Sequence, residues 1–233
     1  YLMRGALQVV SESGGFDEVE LIDLLQHYQS ASLFAAPTMV SRLVQHVDAT
    51  AASTPGLRCL IVRGAPFHAR TIRESIRCFG PRVAQMYGQG ETPMTISAVR
   101  AERLAEAVAR DDEAFLNSVG YPQTTVELAI LDDAGRAVEA SGVGEIWVRG
   151  PTVMAGYWNN PDGTSKALRD GGLLTGDVGC IDERGLLHLK DRSKDVIISG
   201  GSNIYPREVE DVLLAYPAVE ECCVFGIADD EWG

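Results

Sequence analysis

The chain has 233 residues, 45% of them hydrophobic and 23% charged, which is an ordinary globular composition rather than a disordered or fibrous one. Its formal net charge is −13, from 20 Lys and Arg against 33 Asp and Glu, and this argues against nucleic acid as a partner because that binding depends on clustered Lys and Arg. No run of about 18 apolar residues argues for a spanning helix, and five cysteines without CxxC or Cys/His metal spacing predict a reduced, cytoplasmic setting rather than a disulfide framework.

Residues 6–10 (ALQVV), bounded by Gly5 and the Ser13-Gly14-Gly15 turn, read as a buried strand. Asp17 reads as a helix cap with Glu20 in capping-box position, followed by Leu21, Leu24, Leu25 and Tyr28 at helical spacing. Residues 31–35 form a second short strand. Pro37 opens a helix at its first turn, with Val40, Leu43, Val44 and Val47 on one face. Residues 57–62 form a strong strand. A third helix carries Ile72, Ile76 and Phe79 and stops at Gly80, and residues 82–86 lead to Tyr87. This alternation predicts an α/β fold, a mostly parallel sheet with flanking helices. Ligands of such sheets bind beyond the carboxyl ends of strands. Two segments fall there: Gly64-Ala65-Pro66 and YGQGET at 87–92.

From about Val126 the texture changes. Runs at 126–131, 145–149 and 185–189, separated by Gly and Asp turns, predict a small antiparallel, barrel-like region. Residues 206–216 read as helical with Val209, Val212, Leu213 and Tyr216 inward, and 221–227 as a strand, the start of a small α+β C-terminal domain. The domain boundary is expected at 191–194. Residues 1–191 then belong to a large domain, with 1–95 its sheet portion and 120–191 its β-rich portion, and 192–233 begin the small one. Tyr1 at the start and an apolar run near each end predict a piece of a longer protein.

Several residues suit ligand chemistry. Asp177, beside Gly176 in what reads as a tight turn, suits paired hydroxyls such as those of ribose. Arg192, in a cluster with Lys190, Asp191, Lys194 and Asp195, suits an anion. The loop around Gly200 and Gly201 lets a ligand approach the backbone. Glu91 suits Mg²⁺ beside phosphates, and the Tyr87 ring suits an adenine face. Each also has a plain alternative: a surface turn, a βα turn with Pro starting a helix, a solvated charge run. Histidines 27, 46, 68 and 188 pair with no Ser or Cys nucleophile, and GxxxxGK[ST] and GxGxxG are absent, so P-loop and dinucleotide readings fail.

In order and spacing, Gly64-Ala65-Pro66, YGQGET, SVGYP (118–122), GEIWVRGPTVMAGYW (144–158), TGD (175–177) and ISGGSNIYPREVE (198–210) resemble the acyl-adenylate-forming, AMP-binding enzymes. That superfamily holds acyl-CoA synthetases, peptide-synthetase adenylation domains and luciferases, and the last segment has the form typical of acyl-CoA synthetases. The resemblance covers nearly the whole chain. It implies ATP, Mg²⁺ and CoA as cofactor and cosubstrates and a small-molecule carboxylate as substrate. Glu91 would bind Mg²⁺. Tyr87, Gly88 and Gln89 would border adenine and acyl group, Gly64, Ala65 and Pro66 would wall that pocket, and Pro93 and Met94 would lie near the acyl tail. Asp177 and Arg192 would hold the ribose. Lys194 would be the hinge about which the small domain swings between two half-reactions, and Gly200 and Gly201 would line the tunnel for the pantetheine arm. Gly90 stands where the family usually has Thr or Ser, which leaves phosphate to neighbours such as Thr92. The family's phosphate loop and C-terminal catalytic lysine have no counterpart in these residues, which predicts that residues 1–233 alone form no adenylate. Two alternatives stand beside a CoA ligase: an adenylation domain loading a carrier-protein thiol, and, because of Gly90, a pseudoenzyme that binds nucleotide or acyl group without turnover.

Overall fold

The computed structural model describes residues 5–200, 202–216, 218–219 and 221–229. Helix α1 (Glu18–His27) begins where the Asp17 Oδ1 accepts from the Glu20 backbone N at 2.9 Å. The capping box is only half closed. The Glu20 carboxylate turns away and accepts from the backbone N of Glu12 at 2.5 Å and of Ser13 at 3.1 Å. Then come β1 (Ala31–Ala35), α2 (Pro37–Thr50), β2 (Leu57–Val62), α3 (Ala69–Phe79) and β3 (Val83–Gln89), the alternation that the apolar periodicity predicts. No predicted element covers the next four: β4 (Thr92–Val99), α4 (Ala101–Ala109), α5 (Glu113–Leu116) and β5 (Tyr121–Pro122). These strands form one sheet in the order β1-β2-β3-β4-β5, parallel as far as β3 and antiparallel beyond it. Val40, Leu43, Leu60, Val62, Ile72, Phe79 and Leu104 close an apolar core between helices and sheet.

A second sheet follows from β6 (Glu127–Leu131), β7 (Gly144–Arg149), a short helix α6 (Pro161–Ala167), β8 (Leu168–Arg169), β9 (Gly172–Ile181) and β10 (Leu187–Arg192). It is antiparallel, ordered β10-β9-β7-β6, with β8 paired to β9. Tyr87 and Ile96 of the first sheet pack with Ile130, Ile146, Val148 and Leu187 of the second. That shared cluster sets the end of β3 against the middle of β9, and the cavity described below lies there. A hairpin, β11 (Ile197–Ser199) and β12 (Ser202–Ile204), and a final helix, α7 (Pro206–Leu214), come last.

Three expectations are overturned. Residues 6–10 form no strand and stand exposed, Val10 at 86%. An extended run needs a neighbour to take its backbone hydrogen bonds, and none of the described strands lies beside it. Residues 221–227 likewise form no strand, with Phe225 73% exposed. Helix α7 turns Pro206, not Val209, Val212, Leu213 or Tyr216, toward the interior, and those four side chains are exposed.

Candidate functional site

Strand β3 alternates, so Gln85 and Tyr87 share its buried face. At its end the chain makes a hairpin rather than an open loop: Gln89 pairs with Thr92, and Gly90 and Glu91 form the turn into β4. At Gly88 the two strands are so close that a Cβ would lie 2.5 Å from the Met94 backbone N. Beyond β2, Gly64 takes φ of +90°, a conformation that favours glycine, and opens the segment Gly64-Ala65-Pro66-Phe67.

The acid of the Thr-Gly-Asp motif is not in a turn. It lies within β9, where Thr175, Gly176 and Asp177 bulge opposite Ile146, because Glu145 pairs with Val178 and Trp147 with Leu174. Gly176 takes φ of +70°, and its N donates to Glu145 Oε1 at 2.9 Å. Such a bulge re-aims side chains. Here it buries Asp177, 7% exposed, at the centre of a polar cluster. Asp177 Oδ1 accepts from Arg192 Nη1 at 2.7 Å, and the two residues face each other in the β9–β10 ladder. Asp177 Oδ2 accepts from the Tyr87 hydroxyl and from Gln89 Nε2, each at 2.6 Å. Burial, and then the Asp177 charge, push the Tyr87 phenol far above its ordinary value, so it remains a donor. The bond to Asp177 raises Arg192 and keeps it cationic. A carboxylate offers about four acceptor positions. One remains open on Oδ1, and Gln89 can release another because its Nε2 also donates to Thr175 O at 2.8 Å.

These groups border a cavity of about 290 Å³. Gly64, Ala65, Pro66, Tyr87, Gly88, Gln89, Asp177 and Arg192, all singled out from sequence, line it together. Gln85, Arg207 and Glu210 also line it and were not singled out. Gln85 Oε1 is the buried side-chain polar atom that lacks a hydrogen-bond partner among the described residues. Its position two before Tyr87 on a strand was the available clue.

Other named residues lie elsewhere. Glu91, in the hairpin turn, accepts from the Tyr157 hydroxyl at 2.8 Å through Oε1, and Tyr157 was not foreseen. Thr92 is fully buried, its hydroxyl bonded with Thr95 at 2.9 Å and near Thr152 at 3.4 Å, so it does not face the cavity. Lys194 is exposed in the turn after β10. Gly200, with φ of +56°, sits in the turn of the β11–β12 hairpin and does not line this cavity, and Gly201 lies outside the described residues. No group of three or more His, Cys, Asp or Glu able to hold a metal occurs among the described residues.

Comparison with known proteins finds relatives over most of the chain. The model of the AMP-binding enzyme family matches residues 1–158. Over 218 residues the chain is 38% identical to a medium/long-chain-fatty-acid–CoA ligase of Mycobacterium tuberculosis, covering 94% of this chain and 37% of that protein. The structure of amide bond synthetase McbA from Marinactinospora thermotolerans superposes with a TM-score of 0.82 at 34% identity, over 92% of this chain and 42% of that one. o-Succinylbenzoate coenzyme A synthetase of Bacillus subtilis, in complex with ATP and a magnesium ion, gives 0.79 at 34% identity, over 93% and 43%. The chain thus spans less than half the length of these relatives. With residues 1–158, more than half of its length, matched by that family model, the chain belongs to the AMP-binding enzyme family.

Proposed function

We propose that this chain carries the nucleotide-handling part of an ATP-dependent carboxylic acid–CoA ligase that works through an acyl-adenylate. The observation that carries the reading is the convergence of Tyr87, Gln89 and Arg192 on buried Asp177, in a cavity walled by Gly64, Ala65 and Pro66. Asp177 accepts the ribose hydroxyls and Arg192 holds its carboxylate in place. The Tyr87 ring and the 64–66 backbone flank the base, and Gln85 Oε1 accepts from its amino group. Relatives named as CoA ligases support the thiol acceptor.

In the first half-reaction a carboxylate attacks the α-phosphorus of ATP and pyrophosphate leaves. In the second, the CoA thiol gives up its proton and attacks the acyl carbonyl, and AMP leaves. The chain's own residues bind and orient the reactants. Glu91 fits a magnesium ion shared with substrate: its Oε2 makes no hydrogen bond among the described residues, and one carboxylate with phosphates and water is a usual Mg²⁺ set. Bound there, the ion supplies neutralisation of phosphate charge. Residues 1–191 form the large lobe. Residues 192–233 swing about the turn at Lys194, and Gly200 and Gly201 leave room for the pantetheine arm. No helix among the described residues is long and apolar enough to cross a membrane.

The test is ATP binding and turnover by the protein that carries this chain, against short, medium, long and aromatic carboxylates, with and without CoA. Asp177→Ala should abolish ATP binding while the protein still folds. Carboxylate-dependent pyrophosphate release with matching thiol loss supports the ligase. Pyrophosphate without thiol loss moves the acceptor to a carrier-protein thiol or an amine. ATP binding without turnover indicates the pseudoenzyme, and no ATP binding overturns the reading.

A further inference from the structure

Helix α7 brings an arginine to the cavity beside Arg63 and Arg192. Arg207 sits in the first turn of the helix, and its backbone N donates to Asp191 Oδ2 at 3.1 Å, which fixes the start of α7 next to Arg192. Its side chain is only 15% exposed, and its closest carboxylate oxygen, Asp211 Oδ2, lies 4.0 Å from Nε, beyond hydrogen-bond distance. The other Asp211 oxygen is taken, because Oδ1 lies 2.6 Å from His68 Nδ1. No hydrogen bond within the described residues reaches the Arg207 guanidinium, yet its nitrogens are not among the enclosed polar atoms without a partner. They therefore open onto the cavity that Arg207 lines. Burial pulls its pKa down, against the carboxylates of Asp211, Asp191, Glu210 and Asp177. Even so, a guanidinium stays charged in proteins. A planar cation with five donors, mostly withdrawn from solvent and with no hydrogen bond of its own among the described residues, suits an oxyanion, above all phosphate.

We propose that Arg207 is a binding residue for the phosphate of the nucleotide whose ribose sits at Asp177, and that it is presented to the cavity while the His68–Asp211 contact seats α7. This rests on the nucleotide reading above. The contact is selective by chemistry, since adenosine offers Arg207 no charged group and AMP and ATP do. It also couples the two lobes: His68 immediately precedes α3 in the segment that walls the cavity, while Arg207 and Asp211 lie beyond the turn at Lys194.

The experiment titrates adenosine, AMP and ATP against the wild type, Asp177→Asn, Arg207→Gln, Arg207→Lys and His68→Asn, with thermal melts of each. The wild type should prefer AMP to adenosine. Arg207→Gln should leave adenosine within about twofold and weaken AMP and ATP about tenfold, the loss of one charge-assisted contact. Arg207→Lys should recover part of that loss, and should Arg207→Gln melt early, the AMP-to-adenosine ratio of Arg207→Lys carries the test. His68→Asn should lower the same ratio without touching Arg207. Equal loss of adenosine and AMP in the Arg207 variants, or no loss at all, overturns the phosphate contact, and an unchanged ratio in His68→Asn overturns the seating. If the wild type binds no adenosine, or Asp177→Asn binds it as well as the wild type does, the nucleotide reading itself has failed.

Discussion

The Tyr157 hydroxyl donates to Glu91 Oε1 at 2.8 Å, joining residues 66 apart in the chain. The loop that carries Tyr157 is itself fastened. The Tyr157 backbone N donates to Thr164 Oγ1 at 2.9 Å, and Thr164 Oγ1 donates to Asn160 O at 2.8 Å. The Met154 N donates to Glu91 O at 2.8 Å. The bond to Glu91 raises the phenol, which stays a donor at neutral pH. Glu91 is thus oriented with one oxygen engaged and the other open. Tyr157→Phe removes a partly solvated bond and should cost about 1 kcal/mol of stability or less. The Mg²⁺ needed for half-maximal ATP binding should rise roughly tenfold, as when an outer partner of a metal ligand is lost. Adenosine binding should not change. A Mg²⁺ requirement equal to that of the wild type would sink the orienting role.

Gly88 and Gly90 are two residues apart and should respond in opposite ways. A Cβ at Gly88 would lie 2.5 Å from Met94 N and 2.8 Å from Thr92 O, both backbone atoms that cannot step aside. Gly88→Ala should therefore cost about 1–3 kcal/mol, as overpacking does, and should disturb Tyr87 and Gln89 on either side. At Gly90 a Cβ meets nothing within 4 Å. Gly90→Thr should leave stability within about 0.5 kcal/mol, as an open surface site allows. If the missing hydroxyl limits phosphate binding, the same variant gains ATP affinity relative to adenosine. A flat ratio in a normally folded variant would assign the phosphate contacts to other residues.

The difference between what the sequence told and what it hid is one of range. Residues 31–89 were legible because each strand and helix there announces itself locally, through Pro37, Gly80 and a one-faced apolar stripe. Thr-Gly-Asp was misread as a turn from its local composition. It is held in mid-strand by β7 on one side and β10 on the other, and neither neighbour is visible nearby in the chain. The apolar runs at 6–10 and 221–227 carry strand-forming residues, but pairing also needs a partner strand. Asp177 and Arg192 were reached through motif order. His68 and Asp211, 143 residues apart, meet only because α7 folds back on the segment before α3.

Gln85 gives a prediction in two parts. Its Oε1 is buried with no partner among the described residues, a situation that costs roughly 1–3 kcal/mol. Gln85→Met keeps much of the volume and removes the unpaired acceptor, so the ligand-free protein should melt at a higher temperature. The same change should erase preference for ATP over inosine triphosphate, because hypoxanthine lacks the amino group that Oε1 would receive. A variant that melts lower and still prefers ATP would show that Gln85 serves packing and not the base.

Asp112 ties α5 to the second sheet and makes the fold acid-sensitive at a defined place. It caps α5, accepting from Phe115 N at 3.1 Å, and its carboxylate takes Arg184 Nη1 at 2.9 and 3.2 Å from the β9–β10 turn. The Arg184 hydrogen bond holds its pKa below the ordinary 3.8. A depressed carboxylate favours the folded state at every pH above the unfolded value, and that contribution is lost as pH falls through the lower, folded value. Asp112→Asn keeps a side chain that can cap and discards the charge. It should therefore melt below the wild type near neutral pH, and the gap should close as the pH drops beneath 3.8. Because the pair faces solvent, added salt should narrow the gap at neutral pH as well. Melts of both proteins from about pH 7 to about pH 3, at low and high salt, decide it. A gap that stays constant across that range would mean that Asp112 acts as a cap alone and that its charge does not fasten α5 to the second sheet.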